Sequence, residues 1–358
     1  MSVKISLNIL SKSIFIGGTG RSGTSIMSKY LGTHSNIYQI PIETKFIGDK
    51  DGLIDLHTAL TTNFNIVQGK VAINRFSNLL FSIMNEPNKS PYIGYNLNSL
   101  VGLEFLEKQK LVLMNLITKG EWYGWDKHTN DRFASLYNWK RIFGKVINKL
   151  IINPLNGIIP NGLKISHINP KKIFSKEWMF IPKYFSNEKE LESILGSFVK
   201  SLFFEMSKLN GKIHYCEATP SNMLHVDFIH SIIPDAYFLH ITRNPIGVAF
   251  SMAQKNRLWA PNNVDDVVNF LSSIYEKLLR MEEYAIRNNI GYKRIKLEEC
   301  SSKNTLIDIN TFLGIDNKFD GSVNFISSKV DYWADKYHPE IIQQYKNKLS
   351  KYINYFGY

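Results

Sequence analysis

Ser13 to Ser28 read S-I-F-I-G-G-T-G-R-S-G-T-S-I-M-S, and the fold turns on how this stretch is read. The apolar run Ser13–Ile16 suits a short buried strand. Glycines break it, and a helix-like segment follows to Gly32. Strand, glycine loop and helix in that order aim several backbone N–H groups at one point, at the positive end of a helix dipole. Such a point binds an anion without any side chain. Gly18, Gly20 and Gly23 allow the tight turn and the close approach of a phosphate. Ser22, Thr24 and Ser25 add hydroxyl donors. Gly18 to Ser25 nearly fits the phosphate-loop pattern G-x-x-x-x-G-K-[ST], with Thr24 in the lysine's place. The missing lysine argues against an ordinary ATPase or GTPase, as does the lack of an apolar strand ending in an acidic Mg²⁺ ligand. The cation on offer is Arg21, whose guanidinium can fork onto an oxygen of an activated group.

Outward from the loop, the pattern alternates. A second apolar run, N-I-Y-Q-I-P-I-E, predicts a strand ending at Glu43. After residue 205, K-I-H-Y-C-E-A-T-P predicts a strand, Met223 to Ile233 a helix, A-Y-F-L-H-I-T-R-N-P a strand and Ile246 to about Asn256 a helix. An amphipathic helix is predicted from Val264 to about Asn289. Y-K-R-I-K-L-E-E then reads as a strand, T-L-I-D-I-N-T-F-L-G-I as a helix, and the tail as helical up to Gly357. This alternation predicts an α/β fold with a central parallel sheet. Residues 60–205 break the rhythm. They are rich in aromatics and asparagine, and they predict a large, mainly helical insertion or cap within a single domain spanning 1–358.

The chain has 358 residues, 44% hydrophobic, which is ample for one large core. Its net charge of +12 is spread along the chain without a basic tail, so a small polyanionic ligand is favoured over nucleic acid. Two cysteines, Cys216 and Cys300, form no disulfide framework and show no zinc-ligand spacing. They favour a reducing compartment, and a cytoplasmic location is the expectation. No run of about 18 apolar residues marks a membrane span. The glycine loop follows the N-terminus too closely to leave room for a signal peptide or an anchor. Oligomeric state is not legible.

The loop G-T-G-R-S-G-T-S resembles the 5′-phosphosulfate loop of the P-loop sulfotransferases, which use 3′-phosphoadenosine 5′-phosphosulfate (PAPS). It is closest to the arginine version found in tyrosylprotein and many bacterial sulfotransferases. F-L-H-I-T-R-N-P-I-G-V-A-F-S-M, residues 238–252, is similar to the family's 3′-phosphate motif, with Arg243 ending a strand and Ser251 on the next helix. R-I-K-L-E-E-C-S-S-K-N-T-L-I-D-I-N-T-F-L-G-I looks like the family's later strand and helix, and Y-I-N-Y-F-G-Y is a weaker match to its close. The matches cover roughly half of the chain. The resemblance implies a three-layer P-loop sulfotransferase fold. It also implies PAPS as sulfuryl donor, 3′-phosphoadenosine 5′-phosphate (PAP) as product, and no metal. The 5′ side of PAPS would meet Gly20, Arg21, Ser22, Gly23, Thr24 and Ser25. Arg243 and Ser251 would take the 3′-phosphate, and Arg21 would stabilise the leaving group. Arg243 and Ser251 also make physical sense alone, because a PAPS binder needs a second anion site apart from the first; without the glycine loop, the plainer reading is a salt-bridged arginine after a strand and a surface serine.

An acceptor hydroxyl benefits from a general base. In I-P-I-E-T-K-F, the resemblance assigns that role to Glu43, with Lys45 a substrate contact; the plainer reading of Glu43 is an exposed residue opening a helix. His57 and His34 are the rival bases, His34 reading better as a turn residue after Gly32. One departure stands out. Many relatives carry a lysine in an E-K-T-P or N-K-D-P segment, and here C-E-A-T-P-S-N-M puts Ala218 in its place. Another is Leu297, where relatives often have an aromatic before the acidic residue. Trp122, Tyr123, Trp125 and Trp139 suit either stacking on an acceptor or packing within the insertion. The acceptor is expected to be a small metabolite, natural product or glycan, taking sulfate on a hydroxyl or less readily an amine. A P-loop kinase or NTPase, and a non-catalytic PAP(S)-binding protein, are the competing readings.

Overall fold

The computed structural model describes residues 11–85, 97–124, 142–143, 145–160, 177–253, 260–325, 333 and 335–358. They include β1 (Ser13–Gly17), α1 (Thr24–Gly32), β2 (Ile37–Gln39), α2 (Leu53–Leu60), α3 (Ile66–Asn85), α4 (Leu97–Val101), α5 (Leu103–Ile117), β3 (Thr118–Gly124), α6 (Asn153–Ile158) and β4 (Glu177–Pro182). There follow α7 (Glu188–Leu209), β5 (His214–Glu217), α8 (Val226–Ile232), β6 (Ala236–Thr242), α9 (Pro245–Ala253), α10 (Val264–Arg287), β7 (Tyr292–Lys296), α11 (Lys303–Leu313), α12 (Pro339–Lys348) and α13 (Ser350–Phe356).

Five strands form one sheet in the order β2-β5-β1-β6-β7, and every pairing in it is parallel. The central strand β1 is wholly buried, because both faces of a parallel sheet are covered. Its side chains alternate between two cores. Phe15 packs with Phe203, Tyr215 and Phe238 on one face, while Ile14 and Ile16 join Cys216, Leu239 and Ile241 on the other. Burying each such side chain is worth about 1.5–3 kcal/mol. α7 presents Leu191, Leu195, Phe198, Val199, Leu202, Phe203 and Met206 to the first core at helical spacing. α10 adds Val267, Leu271, Tyr275 and Leu278 to it, and its N-cap Asn263 accepts from the Asp266 N–H.

The structure departs from the expected elements in a few places. β2 stops at Gln39 rather than Glu43. Ile40 N–H still donates to Cys216 O at 3.0 Å, but Pro41 has no N–H to continue the ladder. The helix expected from Met223 to Ile233 is a 3₁₀ turn, Pro220–Leu224, followed by α8. Between 60 and 205, the helices α3 to α7 are joined by an antiparallel pair, β3 and β4. Trp122 lies on β3, exposed, with the Lys70 ammonium 5.7 Å from its ring. Tyr123 is exposed beside it; Trp125 and Trp139 lie outside the described residues. No helix among the described residues is long and apolar enough to cross a membrane.

Because the sheet is parallel, the carboxyl ends of its strands share one edge. Ligands of open α/β sheets bind at that edge, at the point where the strand order reverses. Here it gathers the exits of β1 (18–23), β2 (40–46), β5 (218–222), β6 (Arg243) and β7 (Leu297, Glu298).

Candidate active site

The loop after β1 is left-handed at successive residues, with φ of 74° at Gly20 and 59° at Arg21, and again 101° at Gly23, the residue that caps α1. Gly23 also has no room for a side chain. A Cβ there would lie 2.6 Å from Leu297 Cδ1, so the leucine that replaces the expected aromatic packs under the loop. α1 has no side-chain cap and no acidic residue in its first turn, so its first N–H groups and its dipole face the loop unneutralised. Ser22 is fully buried, and its Oγ has no hydrogen-bond partner. Thr24 is buried, whereas Arg21 and Ser25 are exposed.

Arg21 joins the two sequence motifs. Its Nε donates to Ser251 Oγ at 3.1 Å, and its carbonyl accepts from Arg243 Nη1 at 3.3 Å, across 222 residues of chain. Arg243 is only 8% exposed. The next residue, Asn244, caps α9: its Oδ1 accepts from Ile246 N–H, and its own N–H donates to Glu298 Oε1 at 2.9 Å. Tyr358 O–H donates to Glu298 Oε2 at 3.0 Å and lies 3.1 Å from Thr242 Oγ1. Burial, with the Glu298 charge beside it, pushes the Tyr358 phenol well above its ordinary range.

Glu43 lies past the end of β2, 44% exposed, with Lys45 Nζ 3.3 Å from its Oε2. Between them, Thr44 N–H donates to Glu217 Oε1 at 3.1 Å. Glu217 is completely buried and also accepts from Thr219 Oγ1 and Asn222 Nδ2. Burial pushes its carboxyl above the ordinary range, while those bonds pull the other way. Nothing in the sequence singled out Glu217, because its partner Thr44 is 173 residues away.

His57 is placed differently from Glu43. It packs edge-on to Phe228 of α8, with Nε2 3.9 Å from Glu192 Oε1 of α7. Burial lowers its pKa. Among the described residues, His57, Glu188 and Glu192 have ligand atoms within 4.8 Å of one another, the spacing of a metal site. None of the phosphate-loop residues takes part. His34 precedes β2, at the opposite edge of the sheet, buried, with Nε2 2.8 Å from Asp316 Oδ1 and Nδ1 accepting from Asn36 N–H.

No curated protein matches the chain. Among solved structures it is similar to the sulfotransferase domain from the Synechococcus PCC 7002 olefin synthase, at 14% identity over 95% of this chain and 96% of that one, with a TM-score of 0.42. It is similar to the sulfotransferase domain from the curacin biosynthetic pathway at 12% identity, over 96% and 99% of the two chains, with a TM-score of 0.40. For sulfotransferase STF9 from Mycobacterium avium the figures are 10%, 97%, 77% and 0.37. These likenesses are distant. The model of the sulfotransferase family matches residues 161–295, a span that holds β5, β6, Arg243 and Ser251 and leaves the glycine loop outside. Residues 161–295 thus resemble the sulfotransferase family, and the chain as a whole is consistent with a sulfotransferase of the P-loop fold.

Proposed function

We propose that the protein transfers the sulfuryl group of PAPS to a hydroxyl of a small acceptor. The observation that carries this reading is the junction of Arg21 with Arg243 and Ser251, which sets two cationic anion seats side by side at one sheet edge. A nucleotide phosphorylated at both its 5′ and 3′ positions needs two such seats. The uncapped start of α1, the left-handed Gly20–Arg21 turn and the unpartnered Ser22 Oγ fit the 5′-phosphosulfate. Arg243 and Ser251 fit the 3′-phosphate.

In this account the acceptor oxygen attacks sulfur in line with the bridging oxygen. A new S–O bond forms, the old one breaks, and PAP leaves with the electron pair. The protein's part is to position the reactants and to stabilise charge on the leaving phosphate. Arg21 supplies the cation there. Glu43, exposed in the segment that follows β2, takes the acceptor's proton. Lys45, 3.3 Å from Glu43 Oε2, adds a second cation beside the base.

The test is incubation of the protein with PAPS and extract of the source organism, following sulfonated products by mass spectrometry. The reading predicts a new product 80 Da heavier than its acceptor (about the mass of SO₃) together with stoichiometric PAP. Glu43→Gln should retain PAP binding and lose about 10²–10⁴-fold in turnover. PAP binding with no product from any fraction would point to a non-catalytic binding protein. Undiminished turnover in Glu43→Gln would remove Glu43 as the base.

A further inference from the structure

We propose that Glu217 is a positioning residue, which fixes the loop carrying Glu43 and Lys45 against the phosphate loop. The inference rests on the reading of Glu43 as the base.

Glu217 ends β5, the strand between β2 and β1, so the chains leaving both neighbours pass beside it. On the β2 side, Oε1 accepts from Thr44 N–H, the residue between Glu43 and Lys45. In the turn after β5, Oε1 accepts from Thr219 Oγ1 and Oε2 from Asn222 Nδ2. That turn is tied in its own right to β1. Asn222 Nδ2 reaches Ile16 O at 3.4 Å, and Pro220 O accepts from the first phosphate-loop amide, Gly18 N–H, at 2.9 Å. One carboxylate therefore links the loop after β2 to the start of the loop after β1.

Two features mark this link as more than packing. A fully buried carboxylate is costly unless its oxygens are satisfied, and here three donors from two functional loops satisfy them. The loop it holds is also strained. Lys45, a residue with a side chain, sits at φ 48°, a conformation that persists only where surrounding bonds enforce it. Glutamine at 217 would fill the same space, yet it would turn one acceptor into a donor facing either Thr44 N–H or the Asn222 amide.

The experiment compares wild type, Glu217→Gln, Thr219→Val, Glu43→Gln and the double variant Glu43→Gln/Glu217→Gln. It reads amide hydrogen exchange, PAP affinity by calorimetry, and turnover on the acceptor fraction found with PAPS. In Glu217→Gln, the peptide covering 40–46 should exchange at least tenfold faster while peptides from β1 and β6 keep their protection. PAP affinity should stay within about threefold, and turnover should fall at least tenfold. The double variant should be no slower than Glu43→Gln alone, because a base already lost cannot be misplaced. Thr219→Val, which removes one donor and keeps the carboxylate, should show the same pattern more weakly, and it decides the matter should Glu217→Gln not fold. Unchanged exchange at 40–46, exchange raised throughout the sheet, or losses that multiply in the double variant would each overturn the proposal. Retained turnover in Glu43→Gln would instead remove the base reading, while the exchange at 40–46 still tests the link itself.

Discussion

Arg21 is the residue on which the two motifs converge. Its side chain reaches Ser251 while its carbonyl takes a bond from Arg243. Ser251→Ala removes a hydroxyl that bonds charged partners, Arg21 and the 3′-phosphate, so PAP affinity should fall about tenfold or more, in line with about 1.5–3 kcal/mol for a bond to a charged group. Arg21→Ala should cost more in turnover, about 10²-fold or beyond, than in PAP affinity, because a leaving-group contact strengthens as charge develops. Titration calorimetry and steady-state rates on the same samples check both. That Arg21 sits in the loop after β1 and Arg243 and Ser251 at the end of β6 and on α9 was legible in the sequence, because a strand end, a glycine loop and a helix start have local signatures; the pairing of the two motifs came from the family resemblance. Glu217 was not legible. Its importance comes from Thr44 and Asn222, and a carboxylate at the end of an apolar strand has no pattern of its own until those partners are in place. Leu297 reads as a departure in the sequence, and in the structure as the side chain filling the space below Gly23.

At the scale of elements, the site is an edge, and the elements behind it set how firmly that edge is held. α7 and α8 cross so closely that a Cβ on Gly196 would lie 1.8 Å from Ile232 O. Backbone cannot give way there as a flexible side chain would. Gly196→Ala should therefore destabilise the fold by roughly 2–4 kcal/mol, read as a lower urea midpoint with an unchanged slope. The strand–helix alternation was legible because periodicity and glycine breaks are local. β2 ends four residues before the sequence predicts, since the apolar residues of I-P-I-E continue past Pro41 although the ladder cannot. That correction matters for function, because it puts Glu43 in an irregular segment held by Glu217 instead of in the sheet. The β3–β4 pair has no legible signal in the sequence either. Its strand T-K-G-E-W-Y-G has no clean alternation, and β4 adjoins it only through tertiary pairing.

For the whole molecule, buried histidines link stability to pH. Burial lowers His214 to about 4 and His240 to about 3, from an ordinary 6.5, and His240 Nδ1 lies 2.6 Å from Tyr292 O–H. Both groups have depressed folded-state values, so the unfolded chain binds more protons below pH 6.5. Their stabilisation is present above that pH and is lost as pH falls toward 4 for His214 and 3 for His240. At pH 5 each should cost on the order of 2 kcal/mol relative to pH 7. Glu217, raised by burial, runs the opposite way, favouring the fold as the pH drops toward the ordinary glutamate value. Urea titrations at pH 7 and 5 should show the net loss, and the loss should shrink in a His214→Asn/His240→Asn variant; an equal loss in both proteins would clear these histidines. The two anion seats are tested by calorimetric titration of PAP, 5′-AMP and ATP in the presence of EDTA, on wild type and on Arg243→Ala. PAP should bind wild type without a divalent cation and at least tenfold more tightly than 5′-AMP or ATP. Arg243→Ala should lose most of the preference for PAP over 5′-AMP. Equal affinity for PAP and 5′-AMP in the wild type, or tight binding only of ATP and only once Mg²⁺ is restored, would contradict the reading of two anion seats.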